Sequence, residues 1–183
     1  MTLIALAAQS APVTQWPLRL LLVGLVFAVI MLVLLAMRRG WRNRARRQDD
    51  LPSPGDSAPA TWSPEGDPLT GLYLGSTSAG DWLDRIVVHE MGVRSRAEFE
   101  VGSEGIWLRR TGARDVFIPR ADLRGVRLER GIAGKAFERD GVVVLTWELG
   151  GRLIDTGFRA DIADDQAQAL ERVRHLLADE RTA

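Results

Sequence analysis

The chain has 183 residues, 46% of them hydrophobic, with 24 basic and 24 acidic side chains, two His and no Cys. This is a globular rather than a disordered composition, and the lack of Cys excludes a disulfide framework, Cys-ligated zinc and thiol catalysis. The zero net charge is unevenly spread: residues 1–50 hold seven Arg against two Asp, whereas residues 69–183 hold 17 bases against 19 acids, so the C-terminal part lacks the excess of bases that nucleic-acid binding requires.

Leu20 to Met37 reads LLLVGLVFAVIMLVLLAM, 18 residues without a charge or a hydroxyl. As a helix it is about 27 Å long, close to the thickness of a bilayer's hydrocarbon core. Trp16 and Trp41 flank it at the depth that aromatic rings favour. A transmembrane helix over 18–37 is therefore predicted, preceded by a short extracytoplasmic N-terminus at 1–17. The spacing Gly24-xxx-Ala28 within it is read as chance rather than as a dimer face. Arg38, Arg39, Arg42, Arg44, Arg46 and Arg47 follow the span, and only Arg19 precedes it. The positive-inside rule then sets the C-terminal part in the cytoplasm of a single-pass inner-membrane protein. The competing reading, a signal peptide with Leu3 to Ala8 as its apolar region, fails on length and on the missing basic start. The six Arg also give a non-specific, salt-screened attraction to anionic lipid.

Residues 48–68, QDDLPSPGDSAPATWSPEGDP, hold five of the chain's eight prolines. Together with 38–47 they are predicted to form a basic juxtamembrane segment and a free tether, the proline-rich part with a reach of about 25 Å.

Residues 69–183 suit one domain. Strand-like alternation runs through Leu72–Leu74, Ala97–Val101, Ile106–Leu108, Val116–Ile118 and Leu123–Arg130, with Gly102–Gly105 as a hairpin turn. Val142–Trp147 and Arg152–Phe158 form a second hairpin around Gly150-Gly151. Ile162, Ala169, Leu170, Val173, Leu176 and Leu177 then lie at helical spacing, behind Asp161 as a cap. Between the first two strands, DWLDRIVVHEM places Trp82, Leu83 and Ile86 on one face of a predicted short helix, with Asp81 and Asp84 as caps. The predicted class is α+β: a transmembrane helix, then a seven-stranded bent antiparallel sheet closed by a C-terminal helix, the element order of a pleckstrin-homology (PH)-like barrel.

Candidate chemistry is sparse. Leu153-Ile154-Asp155-Thr156-Gly157 has the local form of an aspartic-protease turn, but Phe158 replaces a small residue and only 26 residues follow Gly157. A strand with a glycine bulge fits better. Gly131-Ile132-Ala133-Gly134-Lys135 resembles the end of a phosphate loop but has Glu129 where the first Gly belongs and Ala136 where a Mg²⁺ ligand belongs. His89 and His175 have no companion at metal-ligand spacing. No catalytic residue, cofactor or metal is expected. The residues expected to contact a partner or an anion are those of the long loop and the glycine loop: Trp82, Arg85, His89, Arg94, Arg96 and Lys135.

The segments GDWLDRIVVHEMGVRSRAEF, RGIAGKAFERDGVVVLTW and LIDTGFR, behind a span and an arginine cluster, resemble a family of small actinobacterial single-pass membrane proteins with a bacterial PH-like domain, usually labelled export, transporter or membrane proteins. The resemblance implies fold and topology but no chemistry. The function expected is a membrane-anchored, non-catalytic module that binds a protein partner; the alternative is a sensor of anionic lipid headgroups, and an enzyme ranks third.

Overall fold

The computed structural model describes the backbone of residues 16–136 and 141–178 and their side chains, except those of Trp41, Asn43, Arg44, Ala45, Arg47, Lys135 and Ala136. Contacts divide the chain into two units, 1–43 and 44–183.

Helix α1 runs from Trp16 to Arg47. Its stretch Trp16–Gly40 is long and apolar enough to cross a membrane, and none of that stretch is buried. The tract of arginines simply continues the same helix, since Arg has good helix propensity. The signal-peptide reading concerns residues 3–10, which lie outside the described residues.

Among the described residues of the second unit, nine strands follow: β1 (Leu69–Ser78), β2 (Ser95–Gly102), β3 (Gly105–Thr111), β4 (Val116–Pro119), β5 (Leu123–Glu129), β6 (Gly131–Ile132), β7 (Lys135–Ala136), β8 (Val142–Leu149) and β9 (Arg152–Ala160), and then helix α2 (Ala163–Ala178). Seven of them form one antiparallel sheet in the order β4-β3-β2-β1-β9-β8-β5, while β6 and β7 pair only with each other. Helix α2 packs against β5, β8, β9 and β2. The sheet thus bends around it, as the element order led one to expect. Its inner face meets Ala169, Val173 and Leu176 of α2 with Tyr73, Phe99, Leu108, Leu145, Trp147 and Phe158. Phe99 and Phe158 stack with ring centroids 4.8 Å apart.

Asp161 does not cap α2. Its carboxylate takes a bidentate pair of bonds from Arg96 (2.9 and 2.8 Å). Gln166 instead reaches back to accept from the Ala160 N–H (2.8 Å), which fixes the entry to the helix.

The sheet has a second, smaller core on its outer face. Leu74, Val142 and Val144 there lie under Ile132 and Ala133 of the β6–β7 hairpin. This is why Val142 to Leu145 reads as an unbroken apolar run: β8 is covered on both faces. Gly157 leaves the space that Ile132 fills, because a Cβ there would collide with the Ile132 side chain. The bulge predicted near Gly157 lies on the neighbouring strand, where the β1 register slips between Tyr73 and Gly75.

Residues 48–65 depart most from expectation. They form a strap laid across the domain rather than a free tether. Leu51 is 3% exposed. The Gln48 amide donates to the Arg85 carbonyl (3.1 Å) and accepts from the Val87 N–H (2.8 Å). Arg152 pairs with Asp50 (2.7 Å), and the Phe117 N–H donates to the Gly55 carbonyl (2.7 Å), which occupies the β4 edge. Trp62 sits edge-on to Trp107 and Phe117, with centroids 6.1 and 5.6 Å away, and its indole N–H donates to Glu100 (3.3 Å). Prolines favour an extended chain but do not prevent it from docking. We expect Trp62→Ala to cost about 2 kcal/mol and to open the strap to protease, read as new cleavage between residues 52 and 61.

Candidate functional site

Residues 79–94, between β1 and β2, hold one short 3-10 turn, Val88–Glu90, in place of the predicted helix. Asp81 makes the bonds of a helix cap, but the chain turns only once before Arg85 forms a bridge with Thr77. Asp81 accepts from the N–H groups of Leu83 and Asp84 (3.0 and 3.2 Å), and Ser78 donates to Asp84 (2.6 Å). The loop is nevertheless fixed. Ile86 and Met91 are buried. The Ile86 N–H donates to the Ser76 carbonyl, and the Tyr73 hydroxyl donates to that of Met91 (2.8 Å). His89 and Glu90 both adopt positive φ, 52° and 58°, which non-glycine residues hold only where their surroundings compel it. The His89 Nε2–H donates to the Leu51 carbonyl of the strap (2.7 Å), and Glu90 accepts from the Arg114 N–H (2.8 Å).

Arg110 on β3 is the latch. It is 6% exposed. Its guanidinium donates to the carbonyls of Glu90 (3.0 Å), Val93 (2.7 Å) and Arg114 (3.0 Å) and to Ser95 (3.0 Å), and lies 4.0 Å from the centroid of the Tyr73 ring. Burial pushes its pKa down, opposed by the Tyr73, Glu90 and Asp115 oxygens, and burial pushes the Tyr73 phenol up.

The two loops singled out in the sequence meet. Arg85 donates to the carbonyls of Gly92 (2.5 Å) and Ala133 (2.6 Å), and the Gly134 N–H donates to that of Trp82 (3.1 Å). Arg85 therefore faces inward as a clamp between the loops. Trp82 remains 50% exposed at the tip, beside exposed Leu83. Arg94 is exposed; Arg96 is exposed but held by Asp161. The Lys135 side chain lies outside the described residues, as do those of Arg44 and Arg47, while Arg38, Arg39, Arg42 and Arg46 are exposed on α1.

Below Trp82 the outer face of the sheet holds a cavity of about 320 Å³, lined by Thr77, Gly80, Trp82, Arg127, Glu129, Arg130, Gly131, Ile132, Val144 and Asp155. Asp155 is 4% exposed. It accepts from Arg127 (3.2 and 2.8 Å), from the Thr146 hydroxyl (2.6 Å) and from the Gly80 N–H (3.1 Å). Burial opposes its ionisation, but the hydrogen bonds from Arg127, Thr146 and Gly80 together outweigh burial and hold its pKa below the usual carboxylate value. Arg127 is raised, chiefly by its bonds to Asp155, and also donates to Glu129 (2.9 Å). Both Asp155 oxygens are thus occupied, and an acid–base role would need one free. Among the described residues no cluster of His, Asp or Glu could hold a metal ion.

Sequence reasoning missed the Arg127–Asp155 pair, the cavity and the Arg110 latch. Alternation on β5 marked Arg127 as outward, but nothing local named its partner 28 residues away.

No curated protein matches the sequence. Residues 49–174 match the model of a family described as bacterial PH domain-like. The match begins inside the strap, takes in all nine strands and most of α2, and covers well over half of the chain, which therefore belongs to the bacterial PH-like family.

Proposed function

We propose that the protein is a membrane-anchored, non-catalytic recognition module, an adaptor or accessory subunit that presents the Trp82–Leu83 tip to a protein partner. The observation that carries this reading is the tip itself: two large apolar side chains stand exposed on a loop that Arg85, Arg110, Ile86 and Met91 hold rigid. Rigid apolar tips lose little entropy on binding, which suits a contact residue. The near-neutral charge of residues 69–183 favours a protein over an anionic surface, and the saturation of Asp155 supports a role without catalysis. The arginines after the span favour a cytoplasmic domain on an inner-membrane anchor. In this division the N-terminus (1–17) is outside, 18–37 spans, 38–47 is the basic stem, and the domain starts at Gln48. The likeness of its segments to small actinobacterial membrane proteins labelled as export proteins makes an export-related complex the first place to look.

A photo-crosslinking side chain at Leu83 of the full chain, in cells, tests the reading. A discrete protein adduct is expected, absent when the probe is at Arg124. Phospholipid adducts alone would favour the lipid-headgroup sensor instead. A reporter fused after Ala183 should be active only in the cytoplasm.

A further inference from the structure

We propose that the cavity beneath Trp82 binds a small, uncharged polyhydroxy molecule of about the size of a monosaccharide. This site shares Trp82 with the protein-contact tip, but neither reading depends on the other.

Three features of the lining point to that chemistry. First, it carries two bases, Arg127 and Arg130, and two acids, Glu129 and Asp155. A charged ligand would gain no net attraction there, and with Asp155 already saturated it is Glu129 and Arg130 that offer an acceptor and a donor to hydroxyl groups, which both donate and accept. Second, Thr77 is 0% exposed, lines the cavity, and among the described residues its hydroxyl has no hydrogen-bond partner. Buried hydroxyls are rarely left unpaired, and a purely apolar occupant would leave this one so. Third, half-exposed Trp82 forms one wall, giving apolar surface for the C–H face of a ring. At about 320 Å³ the space lies at the lower end of small-molecule sites. The polar groups are preset: Arg127 is fixed by Asp155, Glu129 and Thr146 before any ligand arrives, so little is lost in ordering them.

The site lies on the outer face of the sheet, on the side away from α2, so it does not open into the main core. The β6–β7 hairpin makes it: Ile132 fills the space over Gly157 and, with Gly131, walls off the polar row Thr77–Asp155 beyond it.

Saturation-transfer NMR on the full chain in phosphatidylcholine nanodiscs, free of sugar detergents, tests the proposal. The probes are D-glucose, D-mannitol, benzoate and inorganic phosphate, the last followed by its ability to displace the others. Transfer to glucose or mannitol is expected, with none to benzoate and no displacement by phosphate. Thr77→Val keeps the shape and removes only the unpaired hydroxyl; it should weaken the signal about tenfold while its unfolding midpoint does not fall. Trp82→Ala, at an exposed position, should weaken it by at least as much. Silence from both polyols would overturn the proposal. So would transfer that persists unchanged in both variants, or binding of benzoate or phosphate in preference to the polyols. Leu83 crosslinking should survive Thr77→Val, so loss of one reading leaves the other standing.

Discussion

Arg110→Met should destabilise the domain by about 4 kcal/mol, the largest loss expected from any single polar substitution here. The guanidinium, itself 6% exposed, holds three backbone carbonyls and one hydroxyl. Methionine fills much of the volume but donates nothing, so the carbonyls of Val93 and Arg114 lose this donor and that of Glu90 keeps only the Val93 N–H (3.0 Å). The left-handed pair His89–Glu90 then loses one of the bonds that maintains it. A urea titration of the full chain should show the loss in the midpoint. The exposed pair Arg124–Glu148 (2.9 Å) provides the contrast: Arg124→Met should cost less than about 1 kcal/mol.

Asp155→Asn should cost about 2 kcal/mol at pH 7, because it leaves Arg127 facing an amide that cannot accept two charged bonds. The figure is at the low end for a broken pair because Arg127 is 41% exposed and water takes up part of its charge. The loss depends on pH in a defined direction. The folded-state pKa of Asp155 lies below the ordinary value, so the unfolded chain takes up the proton first. The carboxylate's contribution is complete above the unfolded value of about 4 and disappears as pH falls through the folded value. The gap between parent and variant midpoints should therefore be constant from about pH 5 to 8 and close below about pH 4. A gap that stayed constant down to pH 2 would mean that packing, not charge, holds this position.

Periodicity was sufficient for the seven main strands and α2, because a half-buried strand repeats every two residues and a half-buried helix every three or four whatever lies beyond it. It failed where a second layer was added. Glu98 and Glu100 alternate with Ala97, Phe99 and Val101 as though both face water, yet Glu100 is buried, covered by Trp62 and paired with Arg109. The strap that covers it has a composition indistinguishable from that of a linker, and its partners come from residues 85–89, 100–117 and 150–152. The candidate site was legible to the same extent. The sequence marked the two loops, but which of their side chains turn inward was not in it. Arg85 resembles a contact residue until the Ala133 carbonyl is brought to its guanidinium. Thr77 and Asp155 are register partners across β1 and β9, and only the strand order makes them neighbours.

That strand order also bears on how the protein is made. β1 lies at the middle of the sheet, between β2 and β9, and the Ser76–Thr156 bond joins residues 80 apart. At about 5–20 residues per second, a ribosome takes roughly 4–16 s to travel from one to the other. During that interval the meander β1 to β4 is complete, but one edge of β1 and the apolar inner face wait without partners. The strap waits longer for Arg152, 102 residues beyond Asp50. An exposed edge of this kind invites pairing with other chains. Helix α1 precedes the sheet, so the unfinished half-sheet grows on a chain that already carries its apolar helix, and the nascent protein is most vulnerable to aggregation and proteolysis from the completion of β4 until β9 arrives.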